Sequence, residues 1–358
     1  MMSVVKYIGL IGLGRRGTLF LNYSKIDRSF KIVAICDVDE KKLNDFPISV
    51  FKTVDYKSFI NLENLDAVYV ATPPKFHAEI SAFFLQHNIS VLCEVPACLN
   101  ENEASLLKDA LKGKSAIYMM AENYVYIPEN LAIQKIIKAG KVGEIIFVEG
   151  MYVHDCKELF IKDEKLTWRG EWNTDNIKYH YPTHSLGPIC RWLDIRTNGP
   201  DYFDKIVNYG TKPSSLIEYF KENNINEKAI QPDIVFSIIT TKKDVVIHLR
   251  YDTKTNRPSL KNGFEIQGTR GWIKSGRYDE EDPIVYYSSI KKMIPLYETE
   301  EYKEVVEKFP FDLKKYEKLA ITFTMLNDFL NSLRARKSAI PLEDAILWSS
   351  PIWRWNKQ

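Results

Sequence analysis

Residues 4–17 read VVKYIGLIGLGRRG. The apolar run from Tyr7 to Ile11 leads into Gly12, Gly14 and Gly17, a G-x-G-x-x-G spacing. A strand that turns sharply into a helix needs these glycines. Gly12 permits the turn, Gly14 lets a pyrophosphate approach the backbone, and Gly17 lets the helix pack on the strand. The phosphates then meet the helix N-terminus, where unpaired N–H groups and the dipole favour an anion. A second apolar strand, KIVAICD, ends at Asp37, twenty residues after Gly17. An acid there accepts hydrogen bonds from an adenosine ribose and repels a 2′-phosphate, so the stretch predicts NAD rather than NADP. Arg15 and Arg16, inside the turn, are the side chains able to pair with a phosphate.

Outward from that stretch, strands and helices alternate. Apolar LDAVYVA breaks at Pro73-Pro74 and a helix through Phe84 follows; NISVLCEVP is the next strand. Asn100 caps the helix ENEASLLKDALKG with Glu103 at the reciprocal capping-box position, and SAIYMMAEN forms a sixth strand. Such alternation predicts an α/β Rossmann fold, a doubly wound parallel sheet over residues 1–123. Its ligand belongs at the strands' carboxyl ends, where Asp37, Thr72, Pro73, Glu94 and Glu122 fall. After Asn123 the pattern changes. Long alternating strands, EIIFVEGMYVHD, FDKIVNYGT, DIVFSIITT, DVVIHLRYDT, GFEIQGTRG and IVYYSS, are joined by short turns such as TKKD and TRG. They predict a second, α+β domain over 124–358, with a large, mostly antiparallel open sheet and helices on one face. The chain closes with a long amphipathic helix, LKKYEKLAITFTMLNDFLNSLRAR, and a shorter one in PLEDAILWSS.

Composition bounds the function. With 358 residues there is room for two cores, and 45% hydrophobic with 27% charged residues is ordinary for a globular chain. A net charge of +2 argues against nucleic acid or an anionic membrane as partner. Five scattered cysteines without C-x-x-C spacing indicate neither a disulfide framework nor a metal site. Val4 to Leu13 is too short and glycine-broken for a signal peptide, so a cytoplasmic location is expected.

The order GLGRRG, ATPPKFH, CEVPA, AEN and VGEIIFVEG, followed by a sheet domain, resembles the glucose–fructose oxidoreductase / inositol dehydrogenase / MocA family. That resemblance implies NAD as cofactor, a small-molecule sugar or glycoside as substrate, and homo-oligomers, dimers or tetramers, formed through sheet faces. Dehydrogenases of the family carry E-K-P, whereas this chain has Glu94-Val95-Pro96. Many also carry an aspartate four residues before the active-site histidine, a place held here by His180. CEVPA, EGMYVHD, YPTHSLGP and a late EDAILWSS are more similar to the NAD-dependent α-N-acetylgalactosaminidases, glycoside hydrolase family 109. Departures from that branch are Ser259 where R-P-Y is expected and EKLAITF in place of H-G-G-M-D.

His184 is the leading catalytic candidate, because imidazole titrates near neutrality and suits proton transfer from a sugar hydroxyl; the alternative is a packing histidine at the start of a helix. Tyr152 and His154, two apart on a strand, face one side. Tyr152 is an acid–base candidate if a neighbour lowers its pKa, or simply one more sheet aromatic. Asp155 either orients His154 or ends the strand. Tyr181 shapes the sugar pocket, and Trp168, Arg169 and Trp172 form either a sugar-stacking platform or a core corner. Glu94 and Glu122 either bind cofactor or substrate, or pair with helix caps, and His77 lines the cofactor rim. The expected chemistry is oxidation of a ring hydroxyl, C3 in the redox-neutral glycosidase version. The alternatives are a plain sugar or polyol dehydrogenase or ketoreductase, and a non-catalytic NAD-bound sensor.

Overall fold

The computed structural model describes residues 5–46, 49–175, 181–309 and 313–355. The chain divides into two compact units: residues up to Glu122 with Thr322–Ile346, and Asn123–Ile321 with the residues from Leu347. Among the described residues no helix is long and apolar enough to cross a membrane.

The first unit carries β1 (Lys6–Ile11), β2 (Phe30–Cys36), β3 (Phe51–Thr53), β4 (Ala67–Val70), β5 (Ser90–Cys93) and β6 (Tyr118–Met120). Between them run α1 (Arg15–Ser24), α2 (Glu40–Asp45), α3 (His77–Gln86) and α4 (Glu101–Leu111). Every strand pair is parallel, in the order β3-β2-β1-β4-β5-β6. The order reverses between β1 and β4, which places the ligand crevice at their carboxyl ends. All four residues of β4 and of β5 are buried, as expected when helices cover both faces of a parallel sheet. The β6 edge is closed within the same unit, where Met120 N–H donates to the Ile340 carbonyl at 3.2 Å. Asn100 caps α4 through the Glu103 N–H at 2.9 Å. Glu103 reaches back one residue further than a capping box, accepting from Leu99 N–H at 2.8 Å.

The second unit opens with α5 (Pro128–Lys138) and β7 (Ile145–Val153), then a small hairpin, β8 (Ile161–Lys162) and β9 (Lys165–Leu166). It continues through α6 (Trp168–Trp172), α7 (Thr183–Leu193), β10 (Phe203–Gly210), α8 (Ser214–Glu222), β11 (Ile234–Thr241) and β12 (Val246–Asp252). Next come β13 (Leu260–Gly268), β14 (Gly271–Lys274), β15 (Ile284–Tyr287), β16 (Lys292–Pro295) and α9 (Glu300–Val306). The closing helices, α10 (Leu313–Ala335) and α11 (Leu342–Ser349), are divided between the units, since Thr322–Ile346 belongs to the first. Eight strands form one sheet, ordered β10-β11-β12-β7-β13-β14-β15-β16. All its pairs are antiparallel except β7 with β12, so the sheet is mostly antiparallel as expected.

Helix α7 lies across β7 at a glycine. A Cβ on Gly150 would stand 2.8 Å from Ile189 Cδ1 and 3.0 Å from Ser185 Cβ, so only hydrogen lets the helix approach this closely. The Trp192 indole ties α7 to α5 by donating to the Asn130 carbonyl at 2.9 Å. The opposite face of the sheet carries Tyr209, Phe236, Ile238, Val246 and Met151 on adjacent strands. Of these, Tyr209 is 58% and Ile238 44% exposed.

Candidate active site

In the first unit the glycine-rich turn is built as the spacing demands. Gly12 has φ +94° and lies against the Ala71 carbonyl, while a Cβ on Gly17 would stand 2.2 Å from the Gly12 carbonyl oxygen. Gly14, the N-cap of α1, has nothing among the described residues within 4 Å of its Cβ position, which leaves an open cradle before the helix N-terminus. Asp37 Oδ2 accepts the Leu13 N–H at 2.7 Å and Oδ1 accepts the Asp39 N–H at 3.0 Å, with Lys42 Nζ at 3.4 Å. The acid therefore braces the turn as well as presenting a carboxylate at the end of β2. Oδ2, with one donor, keeps room for a second, as a ribose hydroxyl would supply. The buried Thr72 hydroxyl has no partner among the described residues. An open cradle at a helix N-terminus, an acid at the end of β2 and an orphan hydroxyl together fit a dinucleotide.

Arg16 and Glu94 are drawn together. Arg16 Nε donates to Glu94 Oε1 at 2.7 Å, and the Tyr69 hydroxyl donates to the same oxygen. Burial works against the guanidinium charge, but Glu94 and Tyr69 more than offset it and raise its pKa. The Tyr69 phenol is pushed far up, first by burial and then by Glu94. Tyr69 was not a sequence candidate, because it sits inside a continuous apolar strand. Arg15 is exposed on the first turn of α1, and Glu122 is fully buried after β6.

The second unit brings most of the remaining candidates into one aromatic cluster. His184 lies in the first turn of α7, one residue from the Ser185 contact with Gly150, and its ring is sandwiched. Tyr124 stacks on it at 4.2 Å between centroids and 21° between planes; Tyr181 stacks at 5.6 Å and 14°. Tyr152 leans on it at 4.9 Å. Tyr152 and His154 do share a side, edge to face at 4.8 Å and 89°. Tyr124, which also meets Tyr152 edge-on at 5.8 Å, and Tyr251, stacked on Tyr152 at 6.0 Å, were missed in the sequence. The signal for Tyr124 was its position directly after AEN, where the chain enters the second unit.

Among the described residues no neighbour lowers the Tyr152 pKa. Burial first, then Tyr124, Cys156, Tyr251 and Tyr181, raise it, so this phenol holds its proton. Burial, then Lys261 and His184, lower His154 to about 4, which makes it a neutral imidazole. Its ring faces the Cys156 thiol, Sγ to Nδ1 3.2 Å. Asp155 does not orient His154: its carboxylate accepts from Lys157 Nζ at 2.8 Å and Lys157 N–H at 3.0 Å and so ends the strand. Trp172 is buried edge-on against Tyr181 at 5.8 Å, a core corner, whereas Trp168 is half-buried with the Arg169 guanidinium 4.0 Å above its ring. His180 lies outside the described residues.

Residues 126–352 match the C-terminal domain of glycosyl hydrolase 109, and residues 6–122 match the NAD-binding Rossmann fold of the oxidoreductase family. The chain belongs to glycosyl hydrolase family 109. NAD is thereby its cofactor, and the fold is that of an oxidoreductase-type enzyme. The chain is 27% identical over 289 residues to glycosyl hydrolase family 109 protein 2 of Phocaeicola vulgatus, covering 75% of this chain and 69% of that protein. It is 26% identical over 284 residues to a family 109 protein of Saccharopolyspora erythraea, covering 74% of this chain and 61% of that protein. It is also 27% identical over 291 residues to an α-N-acetylgalactosaminidase of Bacteroides fragilis, covering 75% and 67%. Among solved structures it shares the fold of levoglucosan dehydrogenase in complex with NADH and levoglucosan, TM-score 0.75 at 19% identity, over 97% of this chain and 95% of that one. The myo-inositol 2-dehydrogenase of Lactobacillus plantarum is similar at TM-score 0.72 and 18% identity, over 97% and 95%.

Proposed function

We propose that this protein is an NAD-dependent glycosidase that oxidises a ring hydroxyl, eliminates the C1 substituent, adds water and restores the hydroxyl. The observation that carries the reading is His184, held between Tyr124 and Tyr181 and in contact with Tyr152. NAD, when bound, supplies a hydride acceptor that becomes the donor of the last step. His184 takes the C3 hydroxyl proton as that carbon is oxidised, and the resulting ketone acidifies the C2 proton. Because Tyr152 keeps its proton, it acts as a hydrogen-bond donor to the developing oxyanion; His184 releases the first proton to water, then takes the C2 proton as base and passes it to the departing C1 oxygen. Loss of the C1 substituent gives an unsaturated ketone, to which water adds before the C3 hydroxyl is re-formed. Trp168 with Arg169, Tyr181 and neutral His154 bind the sugar, and His180 is proposed beside them from its place in the motif. Cofactor contacts fall to Gly12, Gly14, Gly17, Asp37, Thr72 and Pro73. Arg16 and Glu94 brace that site, and the role of Glu122 lies with them.

A second reading, an ordinary sugar dehydrogenase or ketoreductase, is favoured by the protonated Tyr152 and by Ser259, since both weaken the machinery needed at C2. The exposed sheet face bearing Tyr209, Phe236 and Ile238 supports a homo-oligomer assembled face to face. One experiment separates the two reactions. A panel of α- and β-glycosides is incubated with enzyme and NAD in D2O. Deuterium at C2 of the released sugar, without accumulating NADH, is the expected result. Stoichiometric NADH and a keto-sugar would replace the glycosidase by the dehydrogenase.

A further inference from the structure

One imidazole ties together the loops that follow β4 and β5. His77, 1% exposed at the start of α3, has Nδ1 2.8 Å from the Pro96 carbonyl oxygen and Nε2 2.9 Å from the Thr72 carbonyl oxygen. Both partners can only accept. A neutral imidazole has one N–H and one lone pair, so either tautomer sets a lone pair against a carbonyl oxygen at hydrogen-bond distance. In a site closed to water that repulsion has no screening, and only the imidazolium satisfies both contacts.

We infer that His77 is a buried imidazolium clamp, a positioning residue whose two N–H groups fix the Thr72 and Pro96 carbonyls and with them two neighbouring loops of the NAD site. Those loops leave adjacent parallel strands at their carboxyl ends, where a dinucleotide lies in this fold. The titratable groups facing the ring are Cys93 at the end of β5 and Glu103 in the first turn of α4. Cys98, on the intervening loop, interacts with both, and Lys108 lies beyond it on α4. Burial opposes the charge on His77, but Cys93 and the two carbonyls outweigh it and bring the pKa up to about 9. An imidazole of ordinary pKa, about 6.5, thus gains a proton on folding. The clamp is complete below that value and is lost as pH rises through about 9. Deprotonation removes one of its two donors and must release one loop.

The test is 15N-histidine NMR on the full chain, with NAD affinity followed by fluorescence from pH 7 to 10. One ring, absent from the His77→Gln spectrum, is expected to show both nitrogens protonated at pH 7.5 and to exchange its protons slowly. Wild-type Kd for NAD is expected to rise about tenfold between pH 7.5 and 10, the size of one lost charge-assisted hydrogen bond. His77→Gln, with one carbonyl still served, should bind NAD more weakly throughout and without that rise. A neutral-tautomer signature for His77 at pH 7.5, or the same rise in the variant, would overturn the clamp. Should the variant fail to fold, the slowly exchanging wild-type ring decides by its protonation at pH 7.5 alone.

Discussion

Gly150 is where a single methyl group should separate packing from chemistry. Its Cβ position is 2.8 Å from Ile189 Cδ1, 3.0 Å from Ser185 Cβ and 3.2 Å from Leu249 Cδ2. Carbon contacts settle near 3.5–4.0 Å, so Gly150→Ala requires α7 to retreat from β7 by roughly 0.5–1 Å. Overpacking of this kind costs about 1–3 kcal/mol, equivalent to a fall in Tm of roughly 2–12 °C for a unit of this size. His184 adjoins Ser185, so the same retreat draws the imidazole away from Tyr152. A misplacement of that order at a reacting group typically removes about 10²-fold of rate, more than the stability loss alone would. Melting curves, His184 ring resonances and turnover of whichever glycoside is accepted are measured on Gly150→Ala, Ile189→Val and the double variant. Ile189→Val deletes the Cδ1 carbon that makes the shortest contact. The double variant should therefore recover at least about 0.5 kcal/mol relative to additivity and part of the lost rate. Strict additivity, or a Gly150→Ala protein with unchanged Tm and unchanged His184 signals, would refute the reasoning.

Other perturbations bear on the two units separately. Asp37→Asn should weaken NAD binding and narrow the preference over NADP in fluorescence titrations, since the carboxylate that holds the turn is also the one proposed to take the ribose. Glu94→Gln leaves Arg16 and Tyr69 without their shared charge and should cost about 1.5–3 kcal/mol by denaturant melts, with NAD affinity falling less than in Asp37→Asn. His184→Ala should lower kcat by about 10²–10⁴-fold while NAD affinity stays within twofold of wild type, roughly the scatter of such titrations. Burial holds His154 neutral with a pKa near 4, so below about pH 6.5 only the unfolded chain takes up that proton. Stability should therefore fall between about pH 6.5 and 4, and urea melts of His154→Gln should show a shallower fall across that window.

What the sequence discloses is what one segment must satisfy by itself. The G-x-G-x-x-G turn is legible because Gly12, at φ +94° against the Ala71 carbonyl, and Gly17, against Gly12, admit no other residue. β4 and β5 are legible because burial on both faces leaves an unbroken apolar run. In β11 the inward Val235, Ser237 and Ile239 alternate with outward Phe236 and Ile238, a period of two that reads directly as a one-sided strand. Pairing between distant segments leaves no such mark. Nothing local in EGMYVHD says that β12 will lie parallel beside it, or that Glu94 will be claimed by Arg16, 78 residues away.

The same division runs through the candidate site. YPTH marks His184, yet its environment depends on Tyr124, which arrives from 60 residues upstream and lies outside the YPTH stretch. Tyr152 shows the cost of reading a residue type without its surroundings. A phenol on a strand suggests an acid–base, but three other tyrosines and a thiol around it make ionisation harder, not easier. In the proposed reaction the proton work then concentrates on the half-buried imidazole, and what places that imidazole against Tyr152 is a missing side chain, the hydrogen of Gly150 beneath Ser185. The residue that sets the distance between the two candidate groups therefore carries no chemistry of its own, and only the packing of α7 on β7 discloses it.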